Sequence, residues 1–247
     1  SLFSRFILNI TQAFHFLNIE EYNEAVSLSN KFNYRSFILS NGIDIPKIEQ
    51  EKKILKNDNL KILFFGRKHP KKGIYELIEA FRFVKEDNLN IKLKIVGPKS
   101  DYEDYLLSKI KEFKLNDSVS LDDPIYKDNE KLKLFSETDY FILPSYDEAD
   151  SIAVKEAVSF GVPIIITQEC KFVIPETFNL GFTITHDPNQ IYKVIKNLKN
   201  YKKNYGDMSL SCRNYAKQNF DLSKTVESYK KITKEIITGV KYSDNWL

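Results

Sequence analysis

The stretch Lys61–Pro98, KILFFGRKHPKKGIYELIEAFRFVKEDNLNIKLKIVGP, decides the fold. Lys61–Phe65 and Ile91–Val96 are short runs rich in β-branched and aromatic residues, and they read as strands. Between them Leu77, Ile78, Phe81 and Val84 recur at helical spacing, so Ile74–Lys85 reads as a helix with one buried stripe. Strand, helix and strand in this order make a parallel crossover unit.

The alternation continues outward. Helices are expected at Tyr102–Phe113, Asn129–Ser136 and Ile152–Phe160, and strands at Ser118–Leu121, Tyr140–Leu143 and Pro163–Thr167. This pattern predicts an α/β domain, a doubly wound parallel sheet with helices on both faces. Three further helices are expected at Asn189–Asn200, Tyr205–Asn219 and Leu222–Ile237, the last capped by Asp221. The first forty-odd residues do not join the sheet by pattern. Asn18 and Glu21 have capping-box spacing, Tyr34–Leu39 reads as a strand leading to a turn at Asn41 and Gly42, and the polar stretch Lys47–Asn59 reads as a linker.

With 247 residues the chain is long enough for one large domain, or one domain and part of another. It opens on Ser1 rather than Met, which predicts a piece of a longer protein. The net charge of +3 arises from near-balance of acids and bases, and the bases form no stripe, so nucleic acid is not an expected partner. Lys193, Lys196, Lys199, Lys202 and Lys203 read as a solvated helix face or as a weak contact to an anionic membrane surface. Two cysteines, Cys170 and Cys212, make neither a disulfide framework nor a metal spacing, which predicts a reducing, cytoplasmic setting. Cys170 reads as a small buried residue. His69 and His186, far apart in loops, do not suggest a metal site. No apolar run approaches the roughly 20 residues that span a bilayer, and no signal-peptide pattern opens the chain.

In doubly wound sheets ligands sit beyond the carboxyl ends of the strands, and the chemically notable residues fall there. After the first strand, Gly66 permits a close turn, the Arg67 fork can grip phosphate oxygens, and Lys72 adds a point charge near a helix start. The same loop also reads as a lysine-rich surface loop. It lacks the ending of a Walker A motif. A second segment, PSYDEADSIAVKEAVSFGVPIII at Pro144–Ile166, sets Glu148 before a helix and Glu156 inside it. Amides at the helix mouth suit phosphate, and a carboxylate beside them can accept from sugar hydroxyls. Glu148 reads equally as a charge complementing the helix, and Glu156 as a solvated residue.

The order of these pieces resembles the nucleotide-binding half of the family-four glycosyltransferases, enzymes of the GT-B fold. SNGIDIP at Ser40–Pro46 is similar to the family's linker turn, FFGRKHPKKGIYELIEAF at Phe64–Phe81 to its phosphate loop and helix, and LKIVGP at Leu93–Pro98 to its next strand. The Pro144–Ile166 segment is similar to its two-glutamate motif.

The resemblance implies a retaining transferase that moves a hexose-type sugar from a nucleotide-sugar to a glycan or lipid-linked acceptor, without metal or other cofactor. It implies that Arg67 and Lys72 hold the diphosphate, that Glu148 contacts the donor sugar, that Glu156 binds the ribose hydroxyls, and that the backbone of Asp150, Ser151, Ile152 and Ala153 lies near the phosphates. It also implies that residues 1–46 are the tail of an acceptor domain and a linker, that 47–220 bind the donor, and that 221–247 form a helix packing back toward the first domain. A cytoplasmic location follows, at the inner membrane face if the acceptor is lipid-linked. A sugar-nucleotide epimerase of the same fold and a non-catalytic partner subunit are the alternatives.

Departures from the family pattern are informative. Ala149-Asp150 stand where Gly-Phe is common, so Asp150 either reads a sugar hydroxyl or caps the helix together with Ser151. TQECKFVIP at Thr167–Pro175 lacks the usual small-residue loop, and Glu176 is a candidate substitute acid. Tyr126 reads as a stacking surface for the nucleobase or as a packing aromatic.

Overall fold

The computed structural model describes residues 11–33, 35–48, 55 and 59–239. The chain divides into two compact units, one formed by Ile45–Asn219 and the other joining residues up to Asp44 with those from Phe220 onward.

In the smaller unit, strand β1 (Phe14–Phe16) pairs in parallel with β2 (Ser36–Ile38), and helix α1 (Ile19–Leu28) connects them. Asn18 Oδ1 accepts from the Glu21 amide at 2.7 Å, and Glu21 Oε2 accepts from the Leu17 amide at 2.7 Å. The expected reciprocal cap therefore closes one residue earlier than the standard box. Strand β1 is a correction to the sequence reading, and β2 is shorter than expected; Tyr34, its expected start, lies outside the described residues.

The larger unit holds β3 (Leu60–Phe65), α2 (Ile74–Glu86), β4 (Ile91–Val96), α3 (Glu103–Glu112), β5 (Val119–Asp122), α4 (Asp128–Ser136) and β6 (Tyr140–Leu143). It continues through α5 (Ile152–Ser159), β7 (Ile164–Thr167), β8 (Gly181–Ile184), α6 (Pro188–Asn197) and α7 (Tyr205–Asn219). A final helix, α8 (Leu222–Thr238), returns to the smaller unit, where the Ile43 amide donates to the Phe220 carbonyl and the Leu222 amide to that of Ile43. Of the expected linker, residues 49–54 and 56–58 lie outside the described residues.

Six parallel strands form one sheet in the order β5-β4-β3-β6-β7-β8, flanked by helices on both faces. Every residue of β6 and β7 is buried, as expected of central strands covered on both sides. Toward the edge, β4 turns Lys92 and Lys94 outward while Ile91, Leu93 and Ile95 are buried. Helix α2 buries Leu77, Ile78, Phe81 and Val84, the stripe its spacing predicts. Each such side chain contributes about 1.5–3 kcal/mol by leaving water. Strand β8 was not expected. It is four residues long, starts at a glycine, and is ordered by pairing with β7 from Ile164↔Gly181 to Thr167↔Ile184.

Candidate functional site

Numbered within their sheet, the strands run 3-2-1-4-5-6, so the winding reverses between β3 and β6. A reversal opens a crevice at the carboxyl ends, because the crossovers leave the sheet on opposite sides. The loop after β3 carries Gly66–Gly73, and the loop after β6 carries Pro144–Ser151. The Lys71 carbonyl accepts from the Tyr146 amide at 2.8 Å and from Ser145 Oγ at 3.1 Å, which ties these two loops together.

Two glycines allow close approaches at the β3 loop, Gly73 to the loop after β6 and Gly97 from the end of β4. A Cβ on Gly73, whose φ is 66°, would stand 2.0 Å from the Pro144 carbonyl oxygen, and one on Gly97 would stand 1.8 Å from the Gly66 oxygen. From the far side of the crevice the Glu148 amide donates to the Glu169 carbonyl at 3.0 Å, and Thr167 Oγ1 donates to the Ser145 carbonyl at 2.6 Å. The segment after β7 thus braces the loop from behind.

The cationic loop splits into different jobs. Arg67 is exposed and makes no ion pair or side-chain hydrogen bond among the described residues. Lys68 turns inward at 1% exposure, where its Nζ meets Glu103 Oε2 at 2.7 Å and the Asp122 carbonyl at 3.0 Å. Lys72 Nζ lies 2.5 Å from Glu148 Oε1, so the expected diphosphate and sugar residues already touch. His69 Nδ1 accepts from the Lys71 amide at 3.1 Å and caps the short turn Pro70–Lys72.

The acidic segment is paired residue by residue. Glu156 Oε1 lies 2.6 Å from Lys131 Nζ, and its side chain is only 16% exposed, so it is not a solvated helix residue. The Lys131 ammonium also stands 5.9 Å from the centre of the Phe65 ring. Asp150 is ion-paired with Lys155, and both side chains are buried. Burial holds the Lys155 ammonium below the usual lysine range, against the pull of Asp150. The expectation that Asp150 and Ser151 cap α5 is corrected: Ser151 occupies the N-cap position, with no side-chain bond to the helix, and Asp150 points to Lys155. Ile152 and Ala153 form the first turn of α5, where backbone amides lack helical acceptors.

Around this centre, the Tyr146 ring stacks on His186 at 3.8 Å, and its hydroxyl donates to Glu76 Oε1 at 2.9 Å. Burial and Glu76 push the phenol up to about 12. Tyr126 is 75% exposed, which removes the packing alternative. Glu176 is committed elsewhere: its carboxylate accepts from the Thr183 amide at 2.5 Å and hydroxyl at 2.8 Å, pinning a turn to β8. Cys170 is buried and its thiol is pushed up to about 11 by burial, a poor setting for a nucleophile. No group of three His, Cys, Asp or Glu placed to hold a metal ion occurs among the described residues, and no helix among them is long and apolar enough to cross a membrane.

Lys131 and Lys155 escaped the sequence reading. A glutamate shielded from water demands a counter-charge, but nothing in the sequence says which lysine supplies it.

A doubly wound parallel sheet of six strands with flanking helices is the architecture of the GT-B glycosyltransferases. Residues 46–219, more than half of the chain, match the family described as glycosyl transferases group 1, and the chain belongs to that family. It is 30% identical over 150 residues to the capsular polysaccharide biosynthesis glycosyltransferase CapM of Staphylococcus aureus, covering 56% of this chain and 37% of that protein. To the uncharacterized glycosyltransferase MJ1069 of Methanocaldococcus jannaschii it is 28% identical over 214 residues, covering 81% and 53%. The chain thus spans about half or less of these relatives. Among solved structures, Anabaena HepE in complex with UDP and glucose superposes with a TM-score of 0.78 at 17% identity, over 94% of this chain and 66% of that one. WaaG, a glycosyltransferase involved in lipopolysaccharide biosynthesis, gives 0.74 at 21% identity, over 91% and 62%. These likenesses show the fold.

Proposed function

We propose that this chain is the donor-binding part of a retaining glycosyltransferase that moves a hexose-type sugar from a nucleotide-sugar to a glycan or lipid-linked acceptor. The observation that carries this reading is the Lys72–Glu148 pair, which joins the β3 and β6 loops at the switch point of a group 1 family member, with the exposed Arg67 on the first of these loops and Glu156 on the helix that follows the second. UDP in the HepE structure, and the polysaccharide pathways in the names of CapM and of WcaL from Escherichia coli, support the same substrate class.

Arg67, unpaired and exposed, receives the diphosphate. Lys72 exchanges part of its contact with Glu148 for a phosphate oxygen. As the bond between sugar and diphosphate breaks, negative charge grows on the leaving nucleotide, and two positioned cations stabilise it. Glu148, relieved of part of its partner, accepts from donor-sugar hydroxyls, while the first-turn amides of α5 add donors for the phosphates. Glu156 takes the ribose, and Tyr126 offers an exposed face to the base. The two cations do this work without a metal ion, and transfer is insensitive to chelators. A lipid-linked acceptor places the enzyme at the cytoplasmic membrane face.

Thermal stability of this chain against UDP, GDP, ADP and their sugar conjugates tests the reading. Ligand at about 100 times its dissociation constant adds roughly 2.7 kcal/mol, several degrees for a domain of this size. A base-selective shift, abolished in Arg67→Ala and Glu156→Ala, is expected. No shift with any nucleotide overturns the assignment and favours a partner subunit without donor binding.

A further inference from the structure

We infer that Lys131 is a positioning residue that aims Glu156 at the ribose and thereby sets selectivity for ribonucleotides over deoxyribonucleotides. The inference rests on the donor-site reading and deepens it.

Glu156 lies on α5 and Lys131 on α4, 25 positions earlier in the chain. Their side chains are 16% and 24% exposed, so each charge is largely withdrawn from water and depends on the other. The ammonium is confined on two sides, by Glu156 Oε1 at 2.6 Å and by the Phe65 ring at 5.9 Å. Its other neighbours on α4 do not compete: Glu130 faces Lys127 at 3.3 Å, and Lys133 projects into solvent.

A carboxylate has two oxygens and about four acceptor sites. Lys131 uses Oε1, and Oε2 makes no hydrogen bond among the described residues. The ammonium therefore fixes the plane of the carboxylate while leaving one oxygen, and one lone pair of the other, open to the neighbouring 2′ and 3′ hydroxyls of a ribose. Without it, Glu156 would lose a defined rotamer, and each nucleotide would have to order it on binding. The contribution of Lys131 therefore appears in the hydroxyl readout, through Glu156, and not in the hold on phosphate, which falls to Arg67 and Lys72.

Calorimetric titration of the chain with UDP, GDP and ADP and with their 2′-deoxy counterparts separates the possibilities. A hydrogen bond to a charged group predicts that the wild type prefers the ribo form of its nucleotide by about tenfold or more. Lys131→Met is expected to bring this ratio close to one while changing affinity for the deoxy form by less than about threefold. Lys131→Arg, which keeps the charge and donors, is expected to restore the ratio. Should Lys131→Met fold poorly, Lys131→Gln, which removes the charge but keeps a polar side chain beside Glu156, must likewise lower the ribo preference. An undiminished ratio in Lys131→Met, or equal weakening of ribo and deoxy forms, overturns the positioning role while leaving the donor site standing. Failure of the wild type to bind any nucleotide overturns both.

Discussion

Lys155 and Asp150 form an ion pair beneath the loop that carries Glu148, with side-chain exposures of 3% and 8%. The extra acid in this family motif is thus turned toward Lys155 and buried, and it fastens the loop to the helix that follows it. Removing one partner breaks a buried ion pair. Lys155→Met should cost about 3 kcal/mol in denaturant unfolding, whereas Asp150→Asn/Lys155→Met should recover most of it, since a neutral pair carries no desolvation penalty. Equal losses in the single and double variants would count against the pairing.

Adjacent cations in the β3–α2 loop should behave oppositely. Arg67→Ala leaves stability within about 0.5 kcal/mol, because the side chain is exposed and unpaired, yet it weakens nucleoside diphosphate binding at least about tenfold. Lys68→Ala exposes the opposite logic: it strands Glu103 and lowers stability by about 3 kcal/mol. Paired melting curves and titrations of the two variants check both halves.

Gly97→Ala should damage the crevice from below. Its new methyl would meet the Gly66 carbonyl oxygen at 1.8 Å, and backbone on both sides must shift. A cost of about 2–3 kcal/mol is expected from such overpacking, together with loss of nucleotide binding because the Arg67 loop moves. Retained binding at wild-type stability would show the two loops to be more yielding than the close approach implies.

Alkaline pH should destabilise the fold. The phenols of Tyr140 and Tyr205 and the thiol of Cys212 are held well above their ordinary values by burial, and the Cys170 thiol is pushed up to about 11. In the unfolded chain thiols and phenols release protons near about 8.5 and 10, while the folded chain keeps them, so stability is full below those values and is lost as pH rises through them. Lys155, held low by burial, acts in the opposite sense as a single group. Tyr140→Phe should flatten the alkaline slope and raise the melting temperature, since the Tyr140 hydroxyl is buried without a hydrogen-bond partner among the described residues. A pH series of denaturant midpoints provides the measurement.

The legible and illegible parts of this chain divide by range of interaction. Strands β3, β4, β6 and β7 and helix α2 announce themselves through local spacing of apolar residues, as do the loops at their ends. Strand β8 does not, because a tetrapeptide beginning with Gly181 acquires its conformation from β7 and from the Glu176 carboxylate. The charged candidates stood out in the sequence but their pairings did not: Lys72 and Glu148 are 76 positions apart, Lys131 and Glu156 are 25 apart. Even Asp150 and Lys155, near neighbours in sequence, pair at a spacing of five rather than the usual three or four along a helix.

The Lys71 carbonyl, which receives both the Tyr146 amide and the Ser145 hydroxyl, makes the junction of the crevice chiefly from main chain. A scaffold held this way tolerates exchange of the side chains that project from it. New cargo preferences can then arise one substitution at a time at positions such as Tyr126 or Lys131, without the lineage having to reinvent the frame on which they are mounted.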